Sequence, residues 1–370
     1  MEERSLTHPA PVDDTTRRVA EMYTRYPYPS HDRNERRLTE LANLLRLFSA
    51  ESRYDFRGKR VLDAGTGTGH RLIAAARLHA DTEFVAVDLC EAPLAIAREA
   101  AAAAGVSNVS FVQHDLMHDD TDLGRFDVVL CMGVLHHLTD PGAGLARLAR
   151  LVVDDGLLFA YIYGSLGSAE RLRRKEMIAL LTASGSFDDG IRMARALSFG
   201  TDGFGWTRNA DDSASLEALI VDSYLNVNER LFDLDGIADL VRESGFDAFM
   251  PYGITTERNG YLFDAAPEAR ATLAAPWTDL TRVLPDGDAR AAYSALGVRD
   301  RCRLVELAYQ PNGYTVIAYR DAAAHRFTPG GRIERNTLHV GQKLIHHSPS
   351  SLESNASPEV MASTISGRRD

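Results

Sequence analysis

Between residues 60 and 163 short, continuously apolar runs alternate with helical stretches, and few folds accommodate that alternation. Arg60-Val61-Leu62-Asp63, Phe84–Asp88, Val109–Val112, Phe126–Cys131 and Leu157–Tyr163 read as strands. His70–Ala80, Pro93–Ala104 and Gly142–Val152 read as helices between them. Pro93 falls in a first helical turn, where its missing N–H costs nothing, and Gly105 stands just past the helix end. Strands exposed on one face alternate apolar and polar residues, whereas runs apolar throughout must be covered on both faces. The pattern therefore predicts an α/β chain with a mostly parallel, doubly wound sheet.

The flanks are less regular. Residues 1–15 are polar and read as a flexible N-terminus. Residues 16–58 read as a helical extension, interrupted by Tyr26-Pro27-Tyr28-Pro29, which cannot continue a helix. Residues 59–164 hold the alternating core. Residues 165–230 read as a helical insertion, with a glycine-rich break over Gly200–Trp206. Residues 231–250 supply a helix, Leu234–Ser244, and a sixth strand, Phe246–Met250. A second helical insertion fills 251–311, and 312–326 carries a final strand over Gly313–Arg320. From 327 to 370 Ser, Pro, His and Gly dominate without periodicity, which predicts a disordered tail.

Among 370 residues, 45% hydrophobic and 25% charged is an ordinary globular composition. A formal charge of −11 argues against general binding of phosphate backbones, so nucleic acid is a poor partner. The basic run Arg171, Arg173, Arg174, Lys175 reads more simply as a solvated helix face. Three scattered cysteines, Cys90, Cys131 and Cys302, form neither a disulfide framework nor a zinc site. The N-terminus has no secretory apolar core, and no segment reaches the ~20 apolar residues of a membrane span. These features predict a soluble, cytoplasmic protein whose oligomeric state is open, a homodimer included.

The chemistry-bearing signal is Asp63-Ala64-Gly65-Thr66-Gly67-Thr68-Gly69, where the first strand turns into a helix. Glycines there let a ligand approach the backbone. The dinucleotide fingerprint needs Gly-x-Gly-x-x-Gly. Here the third glycine comes one residue early and His70 stands where that pattern wants glycine. An anion at Asp63 repels phosphate and attracts an ammonium group. Asp88 ends the second strand, 19 residues after Gly69, and Asp115 follows the third. Acids at the carboxyl ends of successive parallel strands line one crevice.

The acidic residue and Gly-x-Gly-x-Gly loop resemble the first motif of the class I S-adenosylmethionine (SAM)-dependent methyltransferases. The resemblance implies SAM as cofactor, held by Asp63, Gly65, Thr66, Gly67 and Gly69. It further implies that Asp88 holds the ribose diol and Asp115 the adenine amino group, with Leu89 and Leu116 beside the base. Cys131-Met132-Gly133-Val134-Leu135-His136-His137-Leu138 resembles the fourth motif of the branch that includes ubiquinone and menaquinone methyltransferases, in which Met132 and Gly133 pass under the cofactor. Asp154-Asp155-Gly156 replaces the commoner Pro-Gly-Gly before the fifth strand. With the late strands, the family's seven-stranded Rossmann-like sheet would be complete. Tyr23-Thr24-Arg25-Tyr26-Pro27-Tyr28-Pro29 resembles an upstream feature whose aromatics, here Tyr23 and Tyr28, fold over the cofactor. The alternative is a helix packed on the domain with those aromatics as core. The 165–230 insertion would be a lid over the acceptor, and its run Asp222–Arg230 sits where such enzymes often carry an acceptor-binding lid.

Methyl transfer rests mainly on alignment and exclusion of water. A hydroxyl or protonated amine acceptor also needs a base. His137 is the better candidate, with His136 pointing elsewhere or capping a helix; backbone-bonded structural roles compete for both. Tyr161 and Tyr163 share a strand face and would line an acceptor pocket or pack against the insertion. No metal site is expected: His114, His118 and the tail histidines form no closed ligand set. The favoured reading is methyl transfer to a small-molecule acceptor in specialised metabolism. Its competitors are a SAM-binding cyclase, decarboxylase or rearrangement catalyst, a non-catalytic scaffold, and a dehydrogenase, which the glycine spacing disfavours.

Overall fold

The first strand, β1 (Arg60–Ala64), is buried on both faces and pairs in parallel with β2 (Glu83–Asp88) and β4 (Phe126–Met132). The computed structural model describes residues 13–29, 40–118, 123–182, 185–199, 213–255, 284, 286–326 and 338–339. With β3 (Val109–Gln113), β5 (Val152–Tyr163), β6 (Ala248–Thr255), β7 (Gly313–Tyr319) and β8 (Leu338–His339), the sheet runs β3-β2-β1-β4-β5-β7-β6-β8. Strands β1 to β5 are parallel, and β7 lies antiparallel between β5 and β6. The seven-stranded, mostly parallel Rossmann-like fold is therefore present, with a two-residue eighth strand added at the β6 edge.

Within the segment 327–370, Leu338 and His339 pair with Phe249 and Ala248. The other residues of that segment lie outside the described ones, as do 1–12, the glycine-rich break at 200–206, and 256–283. Two boundaries differ. β6 runs on to Thr255, past the expected limit at 250. β5 begins at Val152, opposite Phe126, and its register then jumps so that Leu157 faces Val128. Asp154-Asp155-Gly156 thus forms an irregularity within a strand rather than a turn before one.

Helices are punctuated by their caps. Asp13 accepts from the Thr15 and Thr16 amides to start α1 (Asp14–Arg25). Asp140 accepts from Ala143 N and Pro141 opens α5 (Pro141–Leu151), as the N-terminal rules require. α9 (Leu234–Ser244) starts on Asp233 and stops at the left-handed Gly245. One sheet face packs Leu62, Phe126, Leu158 and Phe249 with α5 and α9. The other packs Phe84, Phe159 and Ile317 with α2 (Glu40–Ser52) and α3 (His70–Leu78). A third apolar cluster joins Met22 of α1 and Tyr26 at its C-cap to α6 (Ala169–Leu181), α7 (Phe187–Ala196) and α8 (Ser213–Ile220). This cluster ties the N-terminal extension to the first insertion, next to the ligand-binding strand ends.

Cysteines 90, 131 and 302 are all buried and unpaired. No helix among the described residues is long and apolar enough to cross a membrane.

Candidate active site

The strand tips deliver their acids to one place. Asp63 is the fourth residue of β1, Asp88 the last of β2, and Asp115 lies two beyond β3. Asp88 accepts from Gly67 N at 2.8 Å and from Cys90 N at 2.9 Å, which fastens the glycine loop to the β2 tip. Asp115 accepts from Met117 N at 2.8 Å and stands 2.9 Å from His118 Nδ1. Asp63, Gly65, Thr66, Gly67, Asp88, Leu89, Asp115, Leu116, Met132 and Gly133 all line one cavity of about 1570 Å³, its open mouth included.

The residues present fit SAM. Gly65 and Gly67 hold left-handed φ angles of +82° and +57°, which a side chain would strain. The Thr66 hydroxyl is buried in the lining beside the Asp63 carboxyl. Burial pushes the Asp63 carboxyl up to about 6, with the Thr66 side-chain hydrogen bond and then the Arg71 cation pulling the other way. A buried carboxyl at the glycine loop suits an ammonium group, and one at the β2 tip suits a ribose diol.

Two predicted residues lie elsewhere. Gly69 does not line the cavity; a Cβ there would come within 2.6 Å of the Ala97 Cβ, so its role is the close packing of α3 on α4 (Glu91–Ala103). His136 is fully buried behind Tyr163, stacked on its ring with centroids 3.7 Å apart, and its Nδ1 accepts from Tyr163 N at 3.3 Å. It is outside the cavity lining, and burial holds its imidazole well below the usual range.

His137 does line the cavity. Its Nδ1 stands 2.8 Å from the Asn228 carbonyl oxygen, which can only accept, so Nδ1 carries the proton. Burial keeps the imidazole below its ordinary pKa against the opposing pull of Asp222. The neutral ring therefore leaves Nε2 with an open lone pair, the form a general base needs.

The N-terminal extension roofs this cavity. Thr16, Val19 and Tyr23 of α1, then Tyr28 and Pro29, complete the lining. Tyr28 O accepts from Thr68 N at 3.3 Å, and Pro29 O accepts from Thr68 Oγ1 at 2.6 Å. Tyr23 and Tyr28 thus both face the cavity. Tyr23 also touches the helical insertion: its hydroxyl donates to Asp222 Oδ1 at 2.9 Å and accepts from Asn226 Nδ2 at 3.1 Å.

Asp222 opens the run Asp222–Arg230, which the sequence offered only as a segment, with no residue in it given a role. It lies in a π-turn, Val221–Leu225, and joins the cavity lining while 4% exposed. Such turns recur at functional sites. Tyr163 and Tyr161 line the same region, with the Tyr163 hydroxyl 3.5 Å from Asp222 Oδ2. The basic run is likewise no solvated face. Arg171 and Lys175 each reach Glu229 at 2.7 Å, and Arg174 is tied to Glu170, leaving Arg173 outward at 72% side-chain exposure. These pairs anchor α6 to the 222–230 segment.

Residues 61–156 match a family model described as a methyltransferase domain. An uncharacterized protein of Synechococcus sp. is 38% identical over 141 residues, covering 37% of this chain and 34% of that one. The ubiquinone biosynthesis O-methyltransferase of Neisseria meningitidis is 37% identical over 123 residues, covering 32% and 49%. This chain thus spans half or less of those relatives' lengths. The structure of PKMT2 from Rickettsia typhi superposes with a TM-score of 0.57 at 15% identity, covering 80% of this chain and 55% of that one. Fold and strand-tip motifs together define a class I SAM-dependent methyltransferase domain, with SAM as its cofactor. Within that class the matched segment is similar to the ubiquinone biosynthesis O-methyltransferases.

Proposed function

We propose that the protein transfers a methyl group from SAM to a small-molecule acceptor, in cytoplasmic specialised metabolism, with His137 as general base. The observation that carries this reading is one roofed cavity joining the strand-tip acids and glycine loop to an imidazole with an open Nε2. The relatives' name supports a small acceptor, and three buried free cysteines suit a reducing compartment. Asp63 would hold the cofactor's ammonium group, Asp88 its ribose diol and Asp115 its adenine amino group, with Leu89 and Leu116 against the base. Bound SAM supplies an electrophilic methyl on a sulfonium. Tyr23, Tyr28 and Pro29 exclude water above it, and His137 Nε2 takes the acceptor's proton.

Methyl-labelled SAM tests the reaction: label must appear in a product, whereas turnover that leaves it on the cofactor would indicate a non-methylating reaction. Asp88→Ala removes both a ribose contact and the tie to Gly67. Calorimetry should show SAM bound about 1–3 kcal/mol more weakly, and unchanged affinity would remove Asp88 from the site.

The raised Asp63 carboxyl gives a pH signature. Below about 6 it is protonated and cannot pair with an ammonium. Affinity for S-adenosylhomocysteine should therefore climb as pH rises toward 6 and level off above it, and Asp63→Asn should flatten that climb. Stability of the ligand-free protein runs oppositely. The group's contribution is complete below its ordinary 3.8 and lost as pH rises through about 6, because folding disfavours the charged form.

A further inference from the structure

From the acceptor side of the cavity we infer that the methyl acceptor is an amine, bound as its ammonium by Asp222 among Tyr23 and Tyr163; this rests on the methyl-transfer reading above.

Asp222 is a carboxylate 4% exposed whose hydrogen bonds come from two phenols, Tyr23 at 2.9 Å and Tyr163 at 3.5 Å. It makes no ion pair among the described residues. Arg171, which sits over the Tyr163 ring at 5.1 Å, donates to Glu229 at 2.7 Å and to the Ser223 carbonyl at 3.2 Å. Lys175 also goes to Glu229. Glu229 thus takes the ion-pair hydrogen bonds of both cations; the Arg171 charge reaches Asp222 only through space, and the groups that donate to Asp222 are both neutral phenols. A buried carboxylate in that state favours a cationic partner.

The acceptor-side groups also have matching polarity. The Asp222 oxygens and His137 Nε2 are all hydrogen-bond acceptors, so the molecule between them must bring donors. An ammonium brings three.

Charge flow separates an amine from a hydroxyl. Deprotonating a phenol would create an anion beside the buried Asp222 carboxylate, and like charges in a dry site repel strongly. An amine loses one proton to His137 Nε2, and its nitrogen lone pair then attacks the methyl carbon. The carbon–sulfur bond breaks with its electron pair remaining on sulfur. The products are the neutral thioether S-adenosylhomocysteine and a methylated ammonium, and His137 returns its proton to water. Positive charge moves from sulfur to a nitrogen next to Asp222, so the carboxylate stabilises the charge where it arrives.

The test uses the full chain saturated with S-adenosylhomocysteine. Calorimetry compares benzylamine, phenethylamine and tyramine with 2-phenylethanol and 4-ethylphenol. At least one amine should bind roughly tenfold to a hundredfold more tightly than the alcohol and phenol, the worth of a hydrogen bond to a charged group. Asp222→Asn should erase that preference while S-adenosylhomocysteine affinity stays unchanged, which also reports that the variant folds. If it does not fold, the wild-type comparison still decides. Equal or tighter binding of the alcohol or phenol, or no binding by any amine, overturns the proposal. Loss of S-adenosylhomocysteine binding by the wild type would instead remove the methyl-transfer reading beneath it.

Discussion

Replacing His137 with asparagine will lower kcat by about 10²–10⁴-fold, the usual worth of a positioned general base, while leaving S-adenosylhomocysteine affinity unchanged. Asparagine suits the test because its amide N–H can still donate to the Asn228 carbonyl, the bond that Nδ1 makes at 2.8 Å. The lid contact is kept and only the basic nitrogen is lost. The acid limb of the pH–rate profile should carry the same signature. Burial holds the imidazole below its ordinary 6.5, so the rate should fall only as pH drops below that value. The asparagine variant should lack this limb. A variant with near wild-type kcat would show that solvent or the acceptor itself disposes of the proton. A variant that loses cofactor affinity as well would mark His137 as structural.

Why His137 was legible as a single residue and Asp222 only as the start of a segment follows from distance along the chain. His137 sits five residues beyond β4, within a motif whose strand can be read from its apolar run. Asp222 meets Tyr23 across 199 positions and Tyr163 across 59. No periodicity encodes such a meeting, and the π-turn that presents Asp222 is an interruption of helical spacing. Parallel strands buried on both faces announce themselves, which is why β1 to β4 stand where the apolar runs place them. β5 starts early because an irregularity at 153–156 lets Val152 pair with Phe126, and a register shift leaves no compositional mark. Gly69 shows that a glycine within a ligand-binding pattern can also be required by a neighbouring helix, here through Ala97. The basic run misled because charges spaced along a helix look solvated until their partner is known. Glu229, the partner of Arg171 and Lys175, lies more than fifty residues away along the chain.

The roof over the glycine loop gives the second large effect. Gly67→Ala will destabilise the protein by ~2–5 kcal/mol and sharply weaken S-adenosylhomocysteine binding, from a left-handed backbone penalty plus overpacking. The added Cβ would lie 2.2 Å from the Tyr28 carbonyl oxygen and 3.4 Å from Pro29 Cδ. A backbone oxygen cannot swing aside as a side chain would, and this one is held by Thr68 N while Thr68 Oγ1 holds Pro29 O. Either the strap lifts or the loop recedes, and the latter pulls Gly67 N from Asp88. Both movements open the cavity wall. Gly105→Ala separates the two contributions, because Gly105 has a similar φ of +65° with nothing within 4 Å of its Cβ position. That control should cost about 1–2 kcal/mol and leave ligand binding untouched. The difference between the variants, read by denaturant unfolding and calorimetry, measures how tightly the Tyr28–Pro29 strap closes on the loop. Equal costs, with equal ligand affinity, would mean the strap yields freely and that water exclusion must come from elsewhere in the cavity wall.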